Sequence, residues 1–200
     1  MTSVGERILA ELGLLGEDWH EPILICVMGL PCSGKTVVSG CLAARLPLVV
    51  LSTDRIRLEH GLPSGPAAHE VMLSVATGLL DRRIAVVFDG IHLSRAHRDD
   101  LRRFADGQKA RFELIYTIAD DPVIEARLRS REVSPEQTAD AANVVISPGH
   151  FVKIHRYLEP PGSGERVWTV DTSDSEDVPA QLEPLEEHLR SRLEIAPDGT

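Results

Sequence analysis

The feature that most constrains this chain is the octapeptide Gly-Leu-Pro-Cys-Ser-Gly-Lys-Thr at residues 29–36. An apolar run, Ile23–Met28, precedes it and is typical of a buried parallel strand. A helical pattern from Lys35 to about Arg45 follows it. Strand, glycine-rich loop and helix in this order predict a phosphate-binding loop, because backbone N–H groups and the helix N-terminus then point at one anion.

The side chains of the octapeptide predict a site for ATP and Mg²⁺. Lys35 can bridge the β- and γ-phosphates, and the hydroxyl of Thr36 can bind the metal. A glycine turn that only joined a strand to a helix would have no need of a lysine. The predicted ATP-binding residues of the loop are Gly29, Leu30, Pro31, Cys32, Ser33, Gly34, Lys35 and Thr36.

Strand-like and helix-like segments alternate along the rest of the chain. The later predicted strands are Leu48–Ser52, Ile84–Phe88, Phe112–Ile118 and Val167–Val170. The later predicted helices are Ala67–Arg82, Arg95–Phe104, Pro122–Arg131, Pro148–Leu158 and Val178–Leu193. Such alternation implies right-handed crossovers and a parallel sheet. We expect an α/β fold of three layers, α/β/α, with a five-stranded parallel sheet in the P-loop NTPase order 2-3-1-4-5.

The same patterns predict the domain organisation. An amphipathic helix over residues 4–15 predicts an N-terminal helical extension, residues 1–20. Residues 21–200 are then a single P-loop domain with a helical lid at about 127–148. A chain of 200 residues suits one such domain and is long enough to bury a core.

A carboxylate and an arginine follow the second predicted strand. Ligands of open α/β sheets bind at the carboxyl ends of strands, so Asp54 should face the phosphate loop. It could accept a proton from an acceptor hydroxyl or hold a magnesium-bound water. Arg57, one helical turn on, could hold an anionic group of the acceptor. The alternative is that Asp54 caps a short helix and that Arg57 is solvated.

A second carboxylate ends the apolar segment Val86–Asp89. This pattern is typical of the aspartate that supports Mg²⁺ beside a phosphate loop, usually through water. His92 follows it and is predicted to line the acceptor pocket, with a packed surface histidine as the alternative. The histidines and the three cysteines do not have the spacing of a zinc site, and no disulfide framework is expected.

Arginines close the helix after the fourth predicted strand. Arg127 and Arg131 share one helix face at a spacing of four residues. On a mobile lid, such arginines neutralise charge that develops on the transferred phosphoryl group. The alternative is that basic residues here favour the negative end of the helix, which suits one arginine better than three.

The net charge of −10 argues against a long nucleic acid as the partner. Proteins that bind long polynucleotides usually carry a basic face, because neutralised phosphates supply much of the affinity. The apolar runs are far shorter than the roughly 20 residues that span a bilayer, so no membrane partner is expected. We expect a cytoplasmic protein, a monomer or a homodimer, that acts on a small molecule or a nucleotide.

With these motifs placed, the chain resembles the polynucleotide-kinase-like branch of small P-loop kinases, near the zeta-toxin and chloramphenicol-phosphotransferase relatives. The resemblance covers about residues 22–193 and rests on GLPCSGKT, STDRIR, VVFDGIHLSRAHRDDLRRFA, ARLRSRE and VWTVDTSDSEDV. It implies that Asp54 is the general base, that Arg57 holds a phosphate beside the acceptor hydroxyl, and that the lid arginines are Arg127 and Arg131. It also implies that Asp171 and Thr172 lie near adenine.

These observations together predict an ATP-dependent kinase that transfers the γ-phosphate to a hydroxyl of a small molecule or nucleotide. Two alternatives stay open. One is a polynucleotide 5′-hydroxyl kinase, which would need a local arginine groove. The other is a nucleotide-dependent switch or ATPase, which would keep Lys35 and Thr36 but would need no acceptor pocket.

Overall fold

The computed structural model describes residues 3–12, 19–63, 66–133 and 148–192, with the backbone alone at 131–133 and 148–150. The strands are β1 (Ile23–Met28), β2 (Leu48–Ser52), β3 (Ala85–Asp89), β4 (Arg111–Ile118) and β5 (Trp168–Asp171). The helices are α1 (Val4–Leu12), α2 (Lys35–Ala43), α3 (Thr53–Glu59), α4 (Pro66–Leu80), α5 (Arg95–Gly107), α6 (Asp121–Val133), α7 (Pro148–Arg156) and α8 (Val178–Arg190). Every predicted element is present, with ends shifted by at most three residues.

The five strands form one parallel sheet in the order β2-β3-β1-β4-β5. This confirms the predicted P-loop NTPase fold and its strand order. All six residues of β1 are buried, because helices cover both faces of the sheet at its centre. The register places Ser52 and Val27 on either side of Asp89. The carboxyl ends of β2, β3 and β1 therefore meet where the phosphate loop begins.

Two apolar cores lie on opposite faces of the sheet, because successive side chains of a strand point to opposite sides. Leu24, Cys26 and Met28 belong to the core that α1, α4 and α5 cover. Ile23, Ile25 and Val27 belong to the core that α2 and α8 cover. The helices that the structure describes include none that is long and apolar enough to span a bilayer.

The predicted N-terminal helix is α1, which packs against α4. Its first turn carries a capping box, in which the Glu6 N–H donates to Ser3 Oγ at 3.2 Å and the Ser3 N–H donates to Glu6 Oε2 at 2.6 Å. Ile8 of α1 is buried in the apolar core that α4 and α5 also cover. Residues 13–18, and residues 134–147 of the predicted lid, lie outside the described residues.

Candidate active site

Residues 29–36 form a tight loop between β1 and α2. Gly29 has a φ of 152° and Gly34 a φ of 84°, a region that favours glycine. Close approach adds a second requirement: a Cβ on Gly34 would lie 2.6 Å from Thr172 Oγ1, and a Cβ on Gly29 would lie 2.3 Å from Thr117 Oγ1. Both glycines are therefore needed for the loop to pack on the ends of β4 and β5. Cys32 also has a positive φ, 64°, which is uncommon for a residue with a side chain.

Side-chain hydrogen bonds hold this loop in shape. The hydroxyls of Ser33 and Thr117 are 2.6 Å apart, and Thr117 Oγ1 donates to Met28 O at 3.1 Å. From the other side, Thr172 Oγ1 donates to Ser33 O at 3.0 Å. All these contacts are buried, so the loop is preorganised before any anion binds.

The lysine, the threonine and one aspartate converge at the mouth of the loop. Lys35 Nζ donates to Gly29 O at 3.1 Å and to Leu30 O at 2.7 Å, so its ammonium group lies over the loop. Thr36 Oγ1 donates to Asp89 Oδ2 at 2.9 Å. A hydroxyl and a carboxylate side by side are the oxygen ligands, or the partners of water ligands, that Mg²⁺ prefers. The donor set therefore fits ATP with Mg²⁺, and it joins residues that are 53 positions apart in the chain.

Asp54 lies in the first turn of α3, directly after β2. The alternative in which Asp54 caps this helix is wrong, because the cap is Ser52, whose Oγ accepts from the Arg55 N–H at 3.4 Å. Asp54 instead lines a cleft of about 230 Å³, the acceptor cleft. Its described walls are Thr53, Asp54, His69, Ile91, His92 and His97. Arg57 is half-buried on α3 and does not belong to these walls.

His92 is buried, with 2% of its surface exposed, so the alternative of a surface histidine is wrong. Burial, and to a smaller extent the nearby His97, His69 and Lys35, lowers its pKa from 6.5 to about 3. This wall of the acceptor cleft adjoins the phosphate loop, because Asp89, three residues before His92, accepts from Thr36 Oγ1 of the loop. His69 and His97 are pocket residues that the sequence did not reveal, because α4, α5 and the loop after β3 meet only in the folded chain.

The structure describes the side chain of one of the two predicted lid arginines, Arg127. Arg127 Nη1 donates to Cys32 O at 3.1 Å and to Thr172 Oγ1 at 3.0 Å, and Nη2 donates to Thr172 O at 2.5 Å. Its guanidinium group thus joins the phosphate loop to the segment after β5. The side chain of Arg131 lies outside what the structure describes. Hydrogen bonds from the side chain of Ser173 and from its N–H, the latter at 2.9 Å, lower the pKa of Asp171.

A buried ion pair supports the loop that carries His92. Arg98 on α5 forms a bidentate pair with Glu165, at 2.8 Å for each hydrogen bond, and neither side chain is more than 1% exposed. Arg98 also donates to the carbonyl oxygens of Leu93 and Glu159, each at 3.0 Å. This arginine therefore fixes the loop after β3 to the segment after α7. Sequence analysis missed it, because the two charges are 67 positions apart and look like ordinary surface residues.

Comparison with protein families matches residues 24–147 to the model described as an AAA domain. The match begins in β1 and includes the phosphate loop, Asp54 and Asp89. The chain belongs to this AAA-domain family. The finer branch that the sequence resembled, the polynucleotide-kinase-like one, stays a prediction.

Solved structures share the fold of this AAA-domain chain. A candidate kinase from Chloroflexus aurantiacus is 21% identical with a TM-score of 0.66, and the similarity covers 86% of this chain and 99% of that one. A gluconokinase from Sinorhizobium meliloti is 22% identical with a TM-score of 0.58, covering 85% and 97%. An APS kinase from Mycobacterium tuberculosis, solved with AMPPNP and APS, is 19% identical with a TM-score of 0.59, covering 85% and 98%. No curated protein matches the chain.

Proposed function

We propose that this AAA-domain protein is an ATP- and Mg²⁺-dependent kinase that transfers the γ-phosphate of ATP to a hydroxyl group of a small molecule. The observation that carries the proposal is a cleft with a carboxylate, Asp54, on its wall. The phosphate loop lies beside it, since Thr36 of the loop donates to Asp89, three residues before His92 of the cleft. A switch that only binds and hydrolyses a nucleotide would need no such cleft. The gluconokinase and the APS kinase with the same fold support the same class of reaction.

Each proposed role follows from the position of the side chain. The loop N–H groups and Lys35 orient the phosphates, while Thr36 and Asp89 hold the metal. When bound, ATP·Mg²⁺ supplies the phosphoryl group and neutralises charge on its oxygens. Asp54 would accept the proton of the acceptor hydroxyl as that oxygen bonds to the γ-phosphorus, while the bond from this phosphorus to the β–γ bridging oxygen breaks and ADP leaves.

Three other residues have predicted roles that concern the complex with nucleotide and acceptor. Arg127 as a lid arginine that neutralises developing charge stays a prediction, and its hydrogen bonds reach Thr172, in the segment that is predicted to lie near adenine. Arg57 as an anion anchor and Arg131 as a lid residue stay predictions, and so does a cytoplasmic location.

The direct test is a transfer assay with γ-labelled ATP, Mg²⁺ and a panel of sugars, polyols, nucleosides and short 5′-hydroxyl oligonucleotides. Transfer should fall roughly 10²- to 10³-fold in Lys35→Ala, because the charge on the β- and γ-phosphates is lost. The matched control is Lys109→Ala, which removes a lysine just before β4, at the amino ends of the strands and so on the opposite side from the phosphate loop.

Three results would contradict parts of the proposal. Unchanged transfer in Lys35→Ala would remove the loop from the reaction. ATP hydrolysis without transfer to any member of the panel would favour the switch. A preference for oligonucleotide 5′-ends that weakens steeply with salt would favour the polynucleotide kinase.

A further inference from the structure

The acceptor cleft has a chemical character that limits what it can hold. Three of the six described residues that line it are histidines, and they come from separate parts of the fold: His69 on α4, His92 after β3, and His97 on α5. At about 230 Å³ the cleft is below the roughly 300–1,000 Å³ typical of pockets for drug-sized ligands. The ligand must therefore be compact.

The three histidines of the cleft lie close to one another. His92 Nδ1 and His97 Nε2 are 3.3 Å apart, and the rings of His69 and His97 meet edge to face at 5.1 Å. His92 Nε2 is buried and makes no hydrogen bond to any residue that the structure describes. The rings of His69 and His97 are only partly buried, and imidazole nitrogens can donate to or accept from ligand hydroxyls.

Burial and mutual proximity keep these imidazoles uncharged near neutral pH. The pKa of each is lowered, chiefly by burial, and His97, His69 and Lys35 also lower that of His92. The backbone of Phe88 opposes this effect and is the weakest of the influences on His92. For His97 the opposing charge is Asp100, and for His69 it is Glu70. Neutral histidines cannot compensate the charge of an anionic ligand.

The formal charge on the described walls of the cleft is negative. Asp54 is the carboxylate there, and the described walls include no lysine or arginine. With Lys35 occupied by the phosphates of ATP, an anion in this cleft would lose water and would have the Asp54 carboxylate as its neighbour, which is unfavourable. A hydroxyl-rich neutral molecule would lose much less hydration free energy than an anion, and its hydroxyls could form hydrogen bonds with the imidazole nitrogens.

We propose that the acceptor cleft binds a compact, uncharged polyol, with one hydroxyl at Asp54 and others at the histidines. This inference rests on the proposed kinase function for its reaction but not for its binding. It predicts that the cleft prefers a neutral acceptor, whereas the role predicted for Arg57 from the sequence requires an anionic one.

Matched pairs of ligands test this preference directly. The pairs are glycerol and glycerate, xylitol and xylonate, and ribitol and ribonate. Binding to the full chain is measured by calorimetry with AMPPNP and Mg²⁺ present, and transfer is measured separately with ATP. We expect the neutral member of at least one pair to bind about tenfold more tightly than its anion. Tighter or equal binding of the anion in every pair, or no binding of any neutral polyol, would overturn the inference. Binding of a polyol without transfer would instead contradict only the kinase proposal.

A charge introduced on the wall gives an independent test. His69→Lys adds a cation to the cleft and should shift the ratio of anion to polyol affinity by about tenfold or more toward the anion. The matched control is His60→Lys, a half-buried histidine that lines a different groove, between α1 and α3. Circular dichroism checks that both variants fold. An equal shift in the two variants, or none in His69→Lys, would show that the cleft does not hold the acceptor.

Discussion

Mild acid should destabilise this protein through His92. Its imidazole is 2% exposed, and burial lowers its pKa from 6.5 to about 3. In the unfolded chain the same side chain has an ordinary pKa of about 6.5. Between these two values the unfolded state binds a proton that the native state excludes. The free energy of unfolding is therefore fully retained above about pH 6.5 and falls as the pH drops toward 3.

The size of the effect follows from the two pKa values. One proton contributes at most about 1.4 kcal/mol per pH unit, so the change from pH 7.5 to pH 5 removes about 2 kcal/mol. That is a large share of a typical stability of about 5–15 kcal/mol. His69 and His97 also have lowered pKa values and act with the same sign. Most carboxylates stay ionised above pH 5 in both states, so they contribute little in this range.

The assay is urea unfolding at pH 7.5, 6.5, 5.5 and 5.0, followed by circular dichroism and tryptophan fluorescence. His92→Gln should reduce the slope of unfolding free energy against pH by about one proton, whatever its own stability. His60→Gln measures what the same substitution does outside the histidine cluster. If wild type and His92→Gln have the same slope between pH 6.5 and 5, the imidazole of His92 is not kept neutral by the fold, and the reasoning fails.

Three further predictions test the site and its support. Asp54→Asn should lower the rate of transfer about 10²-fold while ATP affinity stays the same; a matching loss of Mg²⁺·ATP affinity would make Asp54 a metal-shell residue. Gly34→Ala should lower both the melting temperature and the affinity for ATP, since the new Cβ would lie 2.6 Å from Thr172 Oγ1. The control is Gly40→Ala in α2, where the new Cβ would meet open space, and it should stabilise the protein by up to about 1 kcal/mol. Arg98→Met should cost about 3–5 kcal/mol in urea unfolding by leaving the Glu165 carboxylate buried without its cation, and a cost below about 1 kcal/mol would contradict that role.

The sequence alone predicted the phosphate loop and the sheet that presents it. The signals are local: an apolar run for β1, glycines where the backbone needs a positive φ, and a lysine at the start of α2. The alternation of strands and helices predicted a parallel sheet, and the strand order was expected as that of a P-loop NTPase. Asp54 and Asp89 could be placed because both follow strands of a parallel sheet, whose carboxyl ends share one edge.

Only the tertiary structure decided how these parts meet. It showed that Ser52, not Asp54, caps α3, and that Arg127 contacts the backbone of Cys32 and Thr172. Two residues of equal capping propensity cannot be told apart without the backbone geometry of the turn. An arginine on a helix face likewise has many partners within reach of its long side chain, and packing selects among them.

The histidine cluster and the buried ion pair of Arg98 with Glu165 depend even more on the fold. Their members lie on different elements, and each alone resembles a solvated surface residue. Hydrophobic periodicity and turn residues act over a few positions, so they can be read along the chain. Burial of a polar group is set instead by elements that are distant in sequence and close in space, and it is this burial that keeps the histidines of the acceptor cleft uncharged.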